Sequence, residues 1–167
     1  FNMTIRAVSN HAENILREPG ADTTKPRVLL CAFTAKASNL INGITFHSAF
    51  GLKVGNSICY LSDKKRAELR ESLSELKLVI IDEISMVSAE LLSEMERCIT
   101  KSTRVTGTYK KRRDKSVRAF GGANVLLVGD WWQLPPVKAS ALFGNPADAK
   151  HASAFDGMNL IWGLQGN

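Results

Sequence analysis

Apolar positions along the chain fall into two kinds of pattern. Residues 1–18 carry Phe1, Ile5, Val8, Ala12, Ile15 and Leu16 at helical spacing, and Pro19-Gly20 closes the stretch, which predicts an amphipathic helix. "RVLLCAF" at 27–33 is instead a short continuous apolar run, the form of a strand buried on both faces. The two patterns then alternate. Residues 34–51 read as two short helical turns separated by Gly43, and 62–76 as a helix with Leu69, Leu73 and Leu76 on one side. "LKLVIIDE" at 76–83 is a second strand. Residues 88–100 form a helix with Ser88 as N-cap and Leu91, Leu92, Met95, Cys98 and Ile99 inward. "GGANVLLVGD" at 121–130 is a third strand, and the Ala-rich stretch from 138 is too weakly patterned to place. Short apolar strands between helices predict an α/β unit around a parallel sheet.

In such sheets ligands bind beyond the carboxyl ends of the strands. All three predicted strands end in polar groups: Thr34, then Asp82-Glu83, then Asp130 with Gln133 just beyond. Adjacent carboxylates at the end of an apolar run need a cation or another strong electrostatic reason to stay ionised if partly buried. A Walker-B arrangement supplies one, with Asp82 on the hydrated Mg²⁺ of a nucleoside triphosphate and Glu83 orienting the attacking water. The plainer reading is a solvated pair at the start of a loop. Gln133 would then aim an amide at the terminal phosphate, and Pro135-Pro136 stiffen the turn that carries it; the plainer reading is a surface turn ending the strand. Thr34 is placed to cap the helix after the first strand, and Thr45 the turn bearing His47 and Ser48. Helix N-termini suit the phosphates of a nucleic-acid strand. His47 fits a structural role about equally well, and Lys36 by itself reads as solvated. Trp131 and Trp132 are expected to pack or cover the turn rather than stack on bases.

Composition adds limits. A chain of 167 residues, 44% apolar, supports one domain or one piece of a larger one. No apolar run reaches membrane-spanning length, and residues 1–18 do not read as a signal peptide. Cys31, Cys59 and Cys98 lack metal spacing and suit a reducing compartment. The net charge of +6 is concentrated: residues 101–118 hold eight Lys or Arg and one Asp, and the remainder has 14 basic against 15 acidic residues. Such a segment serves either as a solvated insertion or as a contact for phosphates, and charge does not choose between them.

"TAKASNLINGITFHSAFG", "VIIDEISMVSAELL", "RAFGG" and "LLVGDWWQLPPV" resemble, in order and spacing, motifs Ia, II and III of the PIF-type DNA helicases of superfamily 1B. The resemblance spans residues 1–143, with 101–118 as a basic insertion, and leaves 144–167 as a C-terminal continuation. It implies part of the first motor domain, a partial RecA-like P-loop NTPase fold with about three parallel strands and the P-loop strand missing. It implies a parent that couples ATP hydrolysis, with Mg²⁺, to 5′-to-3′ translocation on single-stranded DNA, acting on forked duplex or G-quadruplex DNA beside a second motor domain. Repair, recombination or telomere maintenance would be its setting, in a nucleus or mitochondrion, or in the cytoplasm of a prokaryote. Carried over by position, Asp82 is the Mg²⁺ ligand, Glu83 the catalytic base and Gln133 the γ-phosphate sensor, while Thr34, Lys36, His47, Ser48 and Pro136 lie along the DNA. Ala35 stands where the family often has Gly, Trp131-Trp132 where it has a Phe pair, and the basic stretch is longer than usual. No G-x-x-x-x-G-K-S/T occurs, and Phe1 resembles the first residue after that loop, so the chain alone is expected to be inactive. Without the P-loop strand, 124–129 is expected to be an unprotected apolar edge. Two alternatives stand beside this reading: a degenerate module that binds single-stranded DNA or a partner without turnover, and a RecD-like helicase.

Overall fold

The computed structural model describes residues 2–52, 62–102, 111–113 and 115–163. Four strands, β1 (Val28–Ala32), β2 (Ile44–Thr45), β3 (Leu78–Asp82) and β4 (Asn124–Leu127), form one sheet in the order β2-β1-β3-β4. Every pairing is parallel, with Ala32 opposite both Thr45 and Asp82 and Ile81 opposite Leu127. The three expected strands are therefore present. β2 is an addition, and two residues are too few to leave a periodic trace in sequence.

Helices cover both faces because alternate strand residues are apolar on both. Leu29, Cys31, Val79 and Ile81 face the larger core, built with Phe46, Phe50, Leu69, Leu73, Leu92, Met95, Ile99 and Met158. These come from α3 (Phe46–Phe50), α4 (Asp63–Ser72) with the turn after it, α5 (Ala89–Ser102) and α6 (Ala152–Trp162). Val28, Ala32 and Ile80 face a smaller core with Ile5, Ala37 and Ile41 beneath α1 (Asn2–Leu16) and α2 (Ala35–Leu40). Burial pushes the Cys31 thiol up to about 12, so it is a packing group and not a nucleophile.

Polar anchors set how these layers meet. The Glu13 carboxylate of α1 accepts from the N–H groups of Arg27 and Val28 at 3.0 and 2.7 Å and so ties the helix to the start of β1. The apolar stripe of α1 is only partly used: Ile5 is buried, while Val8 and Ile15 stay exposed. Glu96 and Thr100 of α5 accept from the N–H groups of Phe120 and Gly121 at 3.2 and 2.8 Å. This holds the "FGG" turn, with φ of 55° and 59° at those residues, against the helix before β4 begins.

α6 is the element that sequence pattern does not reveal. It buries Ala154 and Met158 in the larger core and meets α5 at Gly157, where a Cβ would lie 1.8 Å from the carbonyl oxygen of Ala89. Residues 103–110 and 114 of the basic segment lie outside the described residues; Lys111 and Val117 bridge across the part that is described. β4 is an outer strand of the sheet, and Leu126 on it is 41% exposed. Among the described residues no helix is long and apolar enough to cross a membrane.

Candidate functional site

The parallel register brings the polar strand ends to one edge of the sheet. Neighbouring strands lie about 4.8 Å apart, so the ends of β2 and β3, on either side of Ala32, are separated by about 10 Å. At the end of β1, the Thr34 side chain accepts from the Ala37 N–H at 3.1 Å and caps α2. At the end of β2, the Thr45 hydroxyl accepts from the Ser48 N–H at 3.2 Å and donates to the Ser48 hydroxyl at 2.8 Å, capping α3. Both caps are those expected from sequence. His47 is half-buried and meets the ring of Phe33 edge-on, with centroids 5.8 Å apart. Burial lowers its pKa and favours the neutral imidazole. Lys36 and Ser48 are exposed.

Asp82 ends β3 at 6% exposure, and one of its oxygens accepts from the Glu83 N–H at 2.9 Å. Glu83 then turns into the left-handed region, φ 58° and ψ 42°, and leads into a short 3₁₀ turn at Ile84–Met86. A non-glycine residue held there is uncommon, and such conformations cluster at functional sites. The Ser85 hydroxyl just beyond is buried without a hydrogen-bond partner.

β4 ends against the same turn. The Ile84 N–H donates to the Val128 carbonyl at 3.1 Å, and the Val128 N–H to that of Ile81 at 2.8 Å. Gly129 makes the approach possible: its φ is +150°, and a Cβ there would stand 2.9 Å from the Ile84 nitrogen. Asp130 folds the next residues into a tight turn, its side chain accepting from Trp132 N–H at 2.9 Å and its carbonyl from Gln133 N–H at 3.1 Å. Gln133 is exposed, and Pro136 is half-buried. Trp131 leans on Phe143 with centroids 5.7 Å apart, but Trp132 is 96% exposed, so of the expectation that both pack or cover the turn, packing is met by the first alone.

Among the described residues no group of three His, Cys, Asp or Glu could hold a metal by itself. Mg²⁺ needs no such cage, since one or two carboxylates with phosphates and water suffice; Asp82, buried at a strand end with one oxygen engaged, fits that role. Two clefts, about 450 and 280 Å³, lie elsewhere, beside α1 with β2 and between β4, α5 and α6. Gly129 left a readable trace, a lone Gly at a strand end. Glu90 and Ser140, which tie the far end of the loop to α5, are 50 residues apart and left none.

The chain is similar in sequence and fold to known proteins. A family model described as PIF1-like helicase matches residues 16–153. The ATP-dependent DNA helicase PIF1 of Candida albicans is 39% identical over 127 residues, 72% of this chain and 13% of that protein. The ATP-dependent DNA helicase RRM3 of Saccharomyces cerevisiae is 32% identical over 128 residues, 75% of this chain and 16% of that protein. Among solved structures, the Pif1 helicase from Candida albicans superposes with a TM-score of 0.60 at 27% identity, covering 84% of this chain and 29% of that one. The Pif1 helicase from Bacteroides in complex with ADP-AlF3 and single-stranded DNA gives 0.50 at 28% identity, covering 80% and 28%. The chain thus spans less than a third of each of these relatives. With the family model covering most of its length, and with its strand ends and motifs in one arrangement, the chain belongs to the PIF1-like helicase family.

Proposed function

We propose that the chain is part of the first motor domain of an ATP-dependent 5′-to-3′ DNA helicase. The observation that carries this is the polar carboxyl edge of one parallel sheet, where Asp82-Glu83 and the capped turns at Thr34 and Thr45 stand at strand ends and the chain leading to Gln133 closes on Ile84. Asp82 would hold Mg²⁺, which supplies charge neutralisation at the phosphates when bound. Glu83, half-buried and fixed by its left-handed backbone, would take the proton of the attacking water. Gln133, on a turn made stiff by Asp130 and the prolines, would contact the γ-phosphate. Thr34, Lys36, His47, Ser48 and Pro136 would follow the DNA strand, with neutral His47 donating or accepting a hydrogen bond rather than pairing as a cation. ATP, single-stranded DNA, forked duplex or G-quadruplex DNA, and a second motor domain are the partners of this reading. A Bacteroides relative crystallised with ADP-AlF3 and single-stranded DNA supports it.

The glycine-rich phosphate loop is not within these 167 residues, so turnover is proposed only for a protein that carries both. In such a protein, Glu83→Gln is expected to abolish ATP hydrolysis while nucleotide binding stays within a few-fold of the parent, measured by phosphate release and nucleotide titration. Normal turnover in that variant overturns the assignment of the base.

A further inference from the structure

The loop that carries Gln133 is closed at both ends onto the short segment that follows Glu83. At its start, the Val128 carbonyl accepts from the Ile84 N–H at 3.1 Å. At its end, the Ser140 carbonyl accepts from the Ala89 N–H at 2.9 Å, and Ser88 bridges to Ala141. Glu90, one residue into α5, makes the second closure strong. Its carboxylate accepts from the Ser140 hydroxyl at 2.6 Å and from the Ser140 N–H at 3.3 Å to each oxygen. Hydrogen bonds to an ionised acceptor are about twice as strong as neutral ones. The turn of Asp130 and the pair Pro135-Pro136 stiffen the span between the two closures.

We propose that Glu90 is a positioning residue for Gln133. By holding Ser140 it makes the 129–140 loop and the 83–89 segment one rigid unit, so that Glu83 and Gln133 keep their relative placement. Displacement at either residue is then passed to the other and to the N-terminus of α5. The proposal rests on the assignment of Gln133 only for its consequence in turnover. The clip itself is tested without nucleotide, so a failure of the sensor assignment leaves it standing.

The test is amide hydrogen exchange on the 167-residue chain and its variants Glu90→Ala, Glu90→Gln and Ser140→Ala. In the parent chain, amides of 130–140 and of 83–89 are expected to open together. Glu90→Ala should raise exchange in 130–140 by about tenfold, the loss of a charge-assisted bond, with β1 and β3 amides unchanged. Glu90→Gln, which keeps one acceptor oxygen, should fall between. Ser140→Ala leaves α5 intact and removes one donor, so it should give a smaller rise confined to the loop even if Glu90→Ala fails to fold. Exchange in 130–140 within twofold of the parent in Glu90→Ala overturns the proposal. So does a rise that only follows the β1 and β3 amides, because that is global destabilisation without positioning.

Discussion

Replacing Gly129 with Ala tests the junction on which the candidate site is built. Two costs add there. The backbone has φ of +150°, a region that residues with a Cβ occupy at about 1–3 kcal/mol. The new Cβ would also lie 2.9 Å from the Ile84 nitrogen and 3.1 Å from its Cγ2. The first of these is backbone, which cannot swing aside, and overpacking of that kind costs about 1–3 kcal/mol. Restricting the unfolded chain returns about 0.4–1 kcal/mol, so the expected net loss is about 1–5.5 kcal/mol. Urea denaturation followed by far-ultraviolet circular dichroism reads it. With a slope of about 2 kcal/mol per molar, the midpoint should fall by about 0.5–3 M. Gly20→Ala is the control: its φ is +80°, but nothing lies within 4 Å of the added carbon. It carries the backbone cost without the steric one, about 1–2 kcal/mol, less the same return from the unfolded chain, so it should lose about 1 kcal/mol or less. If Gly129→Ala lowers the midpoint no more than Gly20→Ala does, β4 does not close on Ile84 as described, and the link between the Gln133 loop and the segment after Glu83 loses its basis.

Two further outcomes follow from the edge of the sheet. Thr34→Ala and Thr45→Ala each remove the cap of a short helix and should each cost about 1 kcal/mol in the same denaturation assay, while Thr→Ser at either position should cost much less. An alanine variant as stable as the parent would show that its cap is not formed. Burial lowers the pKa of His47 in the folded chain, so the unfolded state binds its proton first as pH falls. Stability should therefore decrease as pH drops below about 6.5 and stop responding to this group once the folded-state pKa is passed; His47→Gln should flatten that part of a stability profile between pH 7 and 5, and an unchanged slope contradicts the reading.

Sequence alone determined the elements with a strong period or a continuous apolar run. β1, β3 and β4, the inward faces of α4 and α5, and the caps at Thr34 and Thr45 follow from side chains a few residues apart, because hydrophobic period and capping are local. Asp82 and Glu83 stood out for the same reason, at the end of an apolar strand, and Gln133 lies in the turn beyond β4. What crosses the chain was not legible. β2 is too short to show a period and exists because β1 offers it a register. α6 has a weak pattern, and its place depends on Gly157 meeting Ala89, a fit of two surfaces far apart in sequence. Trp132 was expected to pack or cover the turn, and only the folded course of the chain around Asp130 leaves its ring 96% exposed. The pairing of Glu90 with Ser140 is likewise tertiary. A carboxylate on a helix and a serine after two prolines carry no mark of each other until the sheet brings their segments together.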